Sequence, residues 1–131
     1  MAEKDIPDEV KKFIFLNINS LEQLEVLLFL HKYSENKYSS AEIAQELRTN
    51  PGSTEEKLKE IYSLGILNIT DKTNPFYQYN QANKYIVEIN MLAKAYRDYK
   101  HTVITLIFSK PLDNIRSFAD AFKLKKDETD G

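Results

Sequence analysis

The chain has 131 residues, with 18 Lys+Arg against 20 Asp+Glu, two His, three Gly, four Pro and neither Cys nor Trp. That length suits one domain or one small domain with an appendage, and a 42% hydrophobic fraction is too high for a disordered chain. The lack of cysteine excludes disulfides, thiolate metal sites and Cys nucleophiles; the three glycines form no G-x-G-x-x-G or P-loop cradle; and a Ser/His/Asp enzyme has only His31 and His101 to draw on.

The first apolar periodicity, over 7–19, sets Val10, Phe13, Ile14, Leu16 and Ile18 broadly at helical spacing. Ser20-Leu21-Glu22-Gln23 then has the form of a capping box, and Leu21, Leu24, Leu27, Leu28 and His31 predict a helix over 21–32. The polar stretch 33–38 reads as a loop. A second box, Ser39-Ser40-Ala41-Glu42, opens a short helix carrying Ile43, Ala44 and Leu47. Asn50-Pro51-Gly52 is a breaker. Ser53-Thr54-Glu55-Glu56 reads as a third box, followed by Leu58, Ile61 and Leu64, with Gly65 placed to close the helix in a left-handed conformation.

Beyond Gly65 the period changes. Ile66, Leu67 and Ile69 form a strand-like run, Asp71-Lys72-Thr73-Asn74-Pro75 a turn, and Phe76, Tyr77 and Tyr79 a second strand, which together predict a hairpin over 66–80. In the last third Tyr85, Ile89, Leu92, Tyr96, Tyr99, Val103 and Leu106 step by four and three through three heptads, predicting one helix over 84–109. Pro111 stops it. Leu112, Ile115, Phe118 and Phe122 predict a short amphipathic helix, followed by a charged tail over 123–131.

Helix, helix, tight turn, helix, hairpin: this order, carried by SSAEIAQELRTNPGSTEEKLKEIYSLGILNI, DKTNP and FYQY, resembles a winged helix-turn-helix domain. The resemblance covers roughly residues 20–80. It implies that 53–64 is the recognition helix, 41–48 its support, 49–52 the turn and 71–75 the wing tip. The helix that follows also resembles the dimerising C-terminal helices of small bacterial regulators of the MarR and PadR families. The expected fold is therefore mostly α (α+β): a winged helix-turn-helix domain over 1–82 and, over 83–131, a long dimerisation-type helix, a short helix and a tail.

By that resemblance the chain is a homodimer that presents two recognition helices to double-stranded DNA, about one helical turn apart. Ser53, Thr54, Lys57 and Lys59 are then the recognition contacts and Lys72 and Asn74 the wing contacts, while Tyr85, Ile89, Leu92, Tyr96, Tyr99, Val103 and Leu106 form the dimer interface; the alternative for that stripe is packing on the chain's own head. Charge argues the other way. Residues 1–70 hold 8 Lys+Arg against 12 Asp+Glu, a net −4, while 71–131 hold 10 against 8, a net +2. With Leu58 and Ile61 inward, Glu56, Glu60, Ser63, Lys59 and Ser53 face outward, and two glutamates without an Arg suit a polyanion poorly. The alternative is a winged-helix adaptor that binds a protein partner through its acidic face or C-terminal helix.

The remaining candidates have plainer readings. Tyr85, Tyr96 and Tyr99 at heptad spacing are core or interface residues before they are the lining of a ligand cavity. His31 lies on an apolar stripe as a hydrogen-bonded core residue, and His101 has no metal-binding companions. Lys110, Arg116, Lys123, Lys125 and Lys126 are cations at a solvated helix end. The charged opening MAEKDIPDEVKK lacks the apolar core of a signal peptide, and no run approaches the roughly 18 apolar residues of a membrane span. The expectation is a soluble, cytoplasmic, non-enzymatic protein with no cofactor, no metal and no membrane partner.

Overall fold

The computed structural model describes residues 6–109, which contain six helices and one two-stranded antiparallel sheet. The amphipathic helix expected over 112–122, the charged tail and Lys110, Arg116, Lys123, Lys125 and Lys126 lie outside the described residues.

Helix α1 (Asp8–Asn17) starts behind Pro7, carries Asp8 and Glu9 against its positive end, and buries Val10, Phe13 and Ile14. Helix α2 (Leu21–Lys32) is capped by Ser20, whose Oγ accepts from the Gln23 amide at 3.1 Å. Gln23 does not close the expected box on Ser20. It reaches further back: its Oε1 accepts from the Asn19 amide at 2.6 Å and its Nε2 donates to the Asn17 carbonyl at 2.9 Å, so one buried amide stitches the α1–α2 turn. Helix α3 (Ser40–Leu47) has a full capping box between Ser39 and Glu42, and ends at Arg48 in the left-handed conformation, φ 57°.

Helix α4 (Pro51–Ser63) begins two residues before the expected cap. Its cap is Asn50, whose Oδ1 accepts from the amides of Gly52 at 2.7 Å and Ser53 at 3.1 Å. Pro51 supplies the first helical residue, where its missing N–H costs no hydrogen bond and its fixed φ is already helical. Asn-Pro-Gly is therefore the start of the helix and not a spacer before it. Gly65, at φ 80°, closes the helix as expected and donates its amide to the Tyr62 carbonyl at 2.9 Å.

Strands β1 (Leu67–Thr70) and β2 (Phe76–Tyr79) pair antiparallel in the register Leu67 with Tyr79 and Thr70 with Phe76. The tip over 71–75 turns on Asp71, at φ 56°, whose Oδ1 accepts from the amides of Thr73 and Asn74. The stretch over 33–38 does more than connect. Tyr38 exchanges two backbone hydrogen bonds with Tyr77, at 2.9 and 2.8 Å, and so adds a one-residue bridge on the far side of β2 from β1.

The expected helix over 84–109 is broken. It forms α5 (Ile86–Asp98) and α6 (Lys100–Phe108), which meet at Tyr99 with φ −135° and ψ 48°. Both pieces pack on α1. A straight helix of that span would be about 39 Å long against about 15 Å for α1, so the bend lets both halves bury their apolar stripe against the same short helix. Further packing pairs include α2 with α3, α2 and α3 with α4, α5 with α6, β1 with α4, and β2 with α2, and one continuous buried cluster joins these elements.

Candidate nucleic-acid interface

Helix α4 turns Thr54, Leu58 and Ile61 inward, where each is fully buried. The opposite face exposes Pro51, Gly52, Glu56, Lys59 and Ser63 to solvent, and the hairpin tip is exposed as well. With α3 packed against α4 and the hairpin following, this is the arrangement of a winged helix-turn-helix fold.

The candidate contacts divide sharply. Lys59 is exposed on the outer face of α4, and Lys72 and Asn74 are exposed on the tip, so these three are on the accessible surface. Thr54 is not. Its side chain is 0% exposed and its Oγ1 donates to the Asn50 carbonyl at 3.1 Å, because position 54 lies four and seven residues before Leu58 and Ile61 and so shares their inward face. Ser53 is half-buried, and its Oγ donates to Glu22 Oε1 on α2 at 2.6 Å. Glu22 also accepts from Thr49 Oγ1 at 3.0 Å, so one carboxylate ties the turn and the first residues of α4 to α2. Lys57 is half-buried, with its Nζ 3.8 Å from Glu60. Glu60 is thereby partly neutralised, and Glu56 is the exposed acid at the centre of the outer face.

A second tie runs from the wing. The Tyr77 hydroxyl, on a side chain 2% exposed, donates to Glu55 Oε2 on α4. Burial, and then the adjacent Glu55 carboxylate, push the Tyr77 hydroxyl well above its ordinary pKa of 10.0. Sequence reasoning passed over Glu22, Glu55, Tyr77 and the capping role of Asn50. Only the Asn-Pro pair carried a local signal; the others are contacts across 22 to 31 residues. It also passed over Arg48, an exposed cation in the turn before α4.

Most of the heptad positions pack inside the chain. Ile89, Leu92, Val103 and Leu106 are buried in the chain's own core, and Tyr85 packs edge-on against Phe13 at 5.2 Å between centroids. Tyr96 is half-buried beside Glu25, and Tyr99 is half-buried at the break. His31 is hydrogen-bonded to Asn90 Oδ1 at 2.8 Å and stands edge-on to Tyr79. Among the described residues no three His, Asp or Glu side chains gather as a metal site, and no single helix is long and apolar enough to cross a membrane.

The fold is the winged-helix fold of the MarR-family regulators. Solved structures that share it include a MepR mutant from S. aureus bound to an oligodeoxyribonucleotide, 12% identical, with a TM-score of 0.54 over 96% of this chain and 88% of that one. The heme sensor protein PefR from Streptococcus agalactiae in complex with heme is 13% identical, with a TM-score of 0.53 over 93% and 82%. The ST1889 protein from Sulfolobus tokodaii is 19% identical, with a TM-score of 0.50 over 78% and 98%. No protein-family model and no curated protein matches the chain.

Proposed function

We propose that this chain is a dimeric DNA-binding transcriptional regulator: α4 enters the major groove and the tip over 71–75 lies on the flanking backbone. The observation that carries the reading is the shared exposure of the outer face of α4 and the hairpin tip, in a fold also found in a protein captured on an oligodeoxyribonucleotide. Lys59, Lys72 and Asn74 are the contacts, and Arg48 joins them from the turn. Lys57 contributes charge once it leaves Glu60. Ser53 orients the helix through Glu22.

The second chain meets a different surface from the heptad stripe: the exposed Val87 and Phe108, at 62% and 70%, with Leu16 of α1. Tyr96 and Tyr99 contribute only their exposed edges.

Selection from a random duplex pool at low and moderate salt, with light scattering on the same sample, tests the reading. A dimer that enriches a sequence and loses affinity steeply with salt supports it. A chain that enriches nothing at low salt overturns it. One observation favours a second reading, the protein-binding adaptor. Glu56 is exposed at the middle of the outer face, and no Arg lies within α4. Enrichment of a basic protein partner that Glu56→Lys abolishes supports the adaptor.

A further inference from the structure

Phe29 and Tyr33 near the end of α2, and Tyr38 before α3, stand around a recess of about 380 Å³ whose other wall is Glu42, Gln45 and Glu46 of α3. The rings are mutually tilted. Phe29 lies 4.9 Å from Tyr33 and 4.9 Å from Tyr38 between centroids, at 55° and 67°, and Tyr33 lies 6.4 Å from Tyr38 at 69°. No lysine or arginine lines this recess. Glu42 spends one oxygen on the Ser39 cap, whereas Glu46 is exposed and makes no ion pair among the described residues.

Ring faces and carboxylates are both negative, and they select for the same ligand. An anion is repelled by either wall. A neutral apolar body gains from the rings but strips water from the carboxylates with nothing in return. A cation on an apolar frame satisfies both walls, and the volume falls in the range of small-molecule sites. Tyr33 itself is within cation–π range of Lys32 Nζ, at 5.4 Å from its centroid, from outside the recess. The adjoining recess of about 700 Å³ mixes Lys32, His31 and Arg97 with Glu25 and Glu46, and its charge favours no ligand class.

We propose that the recess between α2 and α3 binds a small organic ammonium cation, its charged head between Glu42 and Glu46 and its body against Phe29, Tyr33 and Tyr38. Binding here is independent of whether α4 binds DNA. The test is calorimetric and NMR titration of the full chain, at constant ionic strength, with benzyltrimethylammonium, phenylacetate and benzyl alcohol. The cation alone should saturate and should shift the ring resonances of Tyr33 and Tyr38. Glu46→Gln and Tyr33→Leu should each weaken it by about 3-fold or more, the scale of an exposed cation–π or ion contact. Both side chains are exposed, so unchanged melting curves will show that the fold is intact. Lack of saturation, equal binding of the three probes, or an unaltered affinity for Glu46→Gln overturns the proposal.

Discussion

The Ser53 hydroxyl, in the first turn of α4, donates to the Glu22 carboxylate on α2 at 2.6 Å, and the same carboxylate accepts from Thr49. Glu22→Ala removes both acceptors at once. Hydrogen bonds to a charged group contribute roughly 1.5–3 kcal/mol when sheltered, and these are half-buried, so a loss of about 2 kcal/mol is expected in urea denaturation. Ser53→Ala should lose about 1 kcal/mol. A change of a few tenths for Glu22→Ala would show that the carboxylate does not anchor the helix.

Asn50, and not Ser53, supplies the oxygen that covers the first free amides of α4. Asn50→Ala should therefore destabilise by about 1 kcal/mol, while Asn50→Gly, which keeps a tolerable cap backbone, loses only a few tenths. The two variants should separate in thermal melts followed by circular dichroism. Equal melting points would mean that the cap is dispensable.

The hydroxyls of Tyr77, Tyr79 and Tyr96 are all raised by burial, with Glu55 adding to the effect at Tyr77 and Glu25 at Tyr96. In each case the folded chain holds its proton more tightly than the unfolded chain, whose tyrosines titrate near 10.0. Their contribution is fully present below pH 10 and is lost as the pH climbs above it. Melting temperature should fall on going from pH 9 to 11, and Tyr77→Phe should make that fall shallower. An alkaline ultraviolet titration in which all tyrosines ionise near 10, with the chain still folded, contradicts this account.

If α4 and the hairpin tip bind duplex DNA, Lys59→Ala and Lys72→Ala should weaken binding to all sequences alike, each lowering the salt slope by about 1. Glu56→Gln should strengthen it. Thr54→Val should leave the slope unchanged and lower stability instead, because its hydroxyl is buried on the Asn50 carbonyl. A salt slope that moves with Thr54 and not with Lys59 would invert the assignment of the two faces.

The features legible in the sequence were those set by neighbours. Ser39 and Glu42 close a box because both partners lie within four residues, and Gly65 takes a left-handed φ because a helix had just ended. The hairpin followed from aromatic and β-branched runs about a turn. What stayed hidden depended on distance or on competition between two local signals. Asn50 and Ser53 are both good caps three residues apart, and Pro51 decides between them by fitting the first helical position. The heptad repeat alone does not distinguish a seam between chains from a stripe folded back on the same chain, and the same spacing equally serves two short helices folded over α1. Tyr38 pairs with a residue 39 positions later, which no window of sequence reveals.

That last pairing divides the hairpin into regions of different lifetime. A two-stranded ribbon alone is marginal in water. Here the Tyr77 amide is held by Tyr38 while its ring is buried, whereas the amides of Thr73 and Asn74 rest only on one exposed aspartate. Amide exchange at Tyr77 then requires opening of the surrounding core, and exchange at the tip requires only a local flicker. The tip can adapt its shape within a fast, shallow set of conformations while the root keeps its place in the fold.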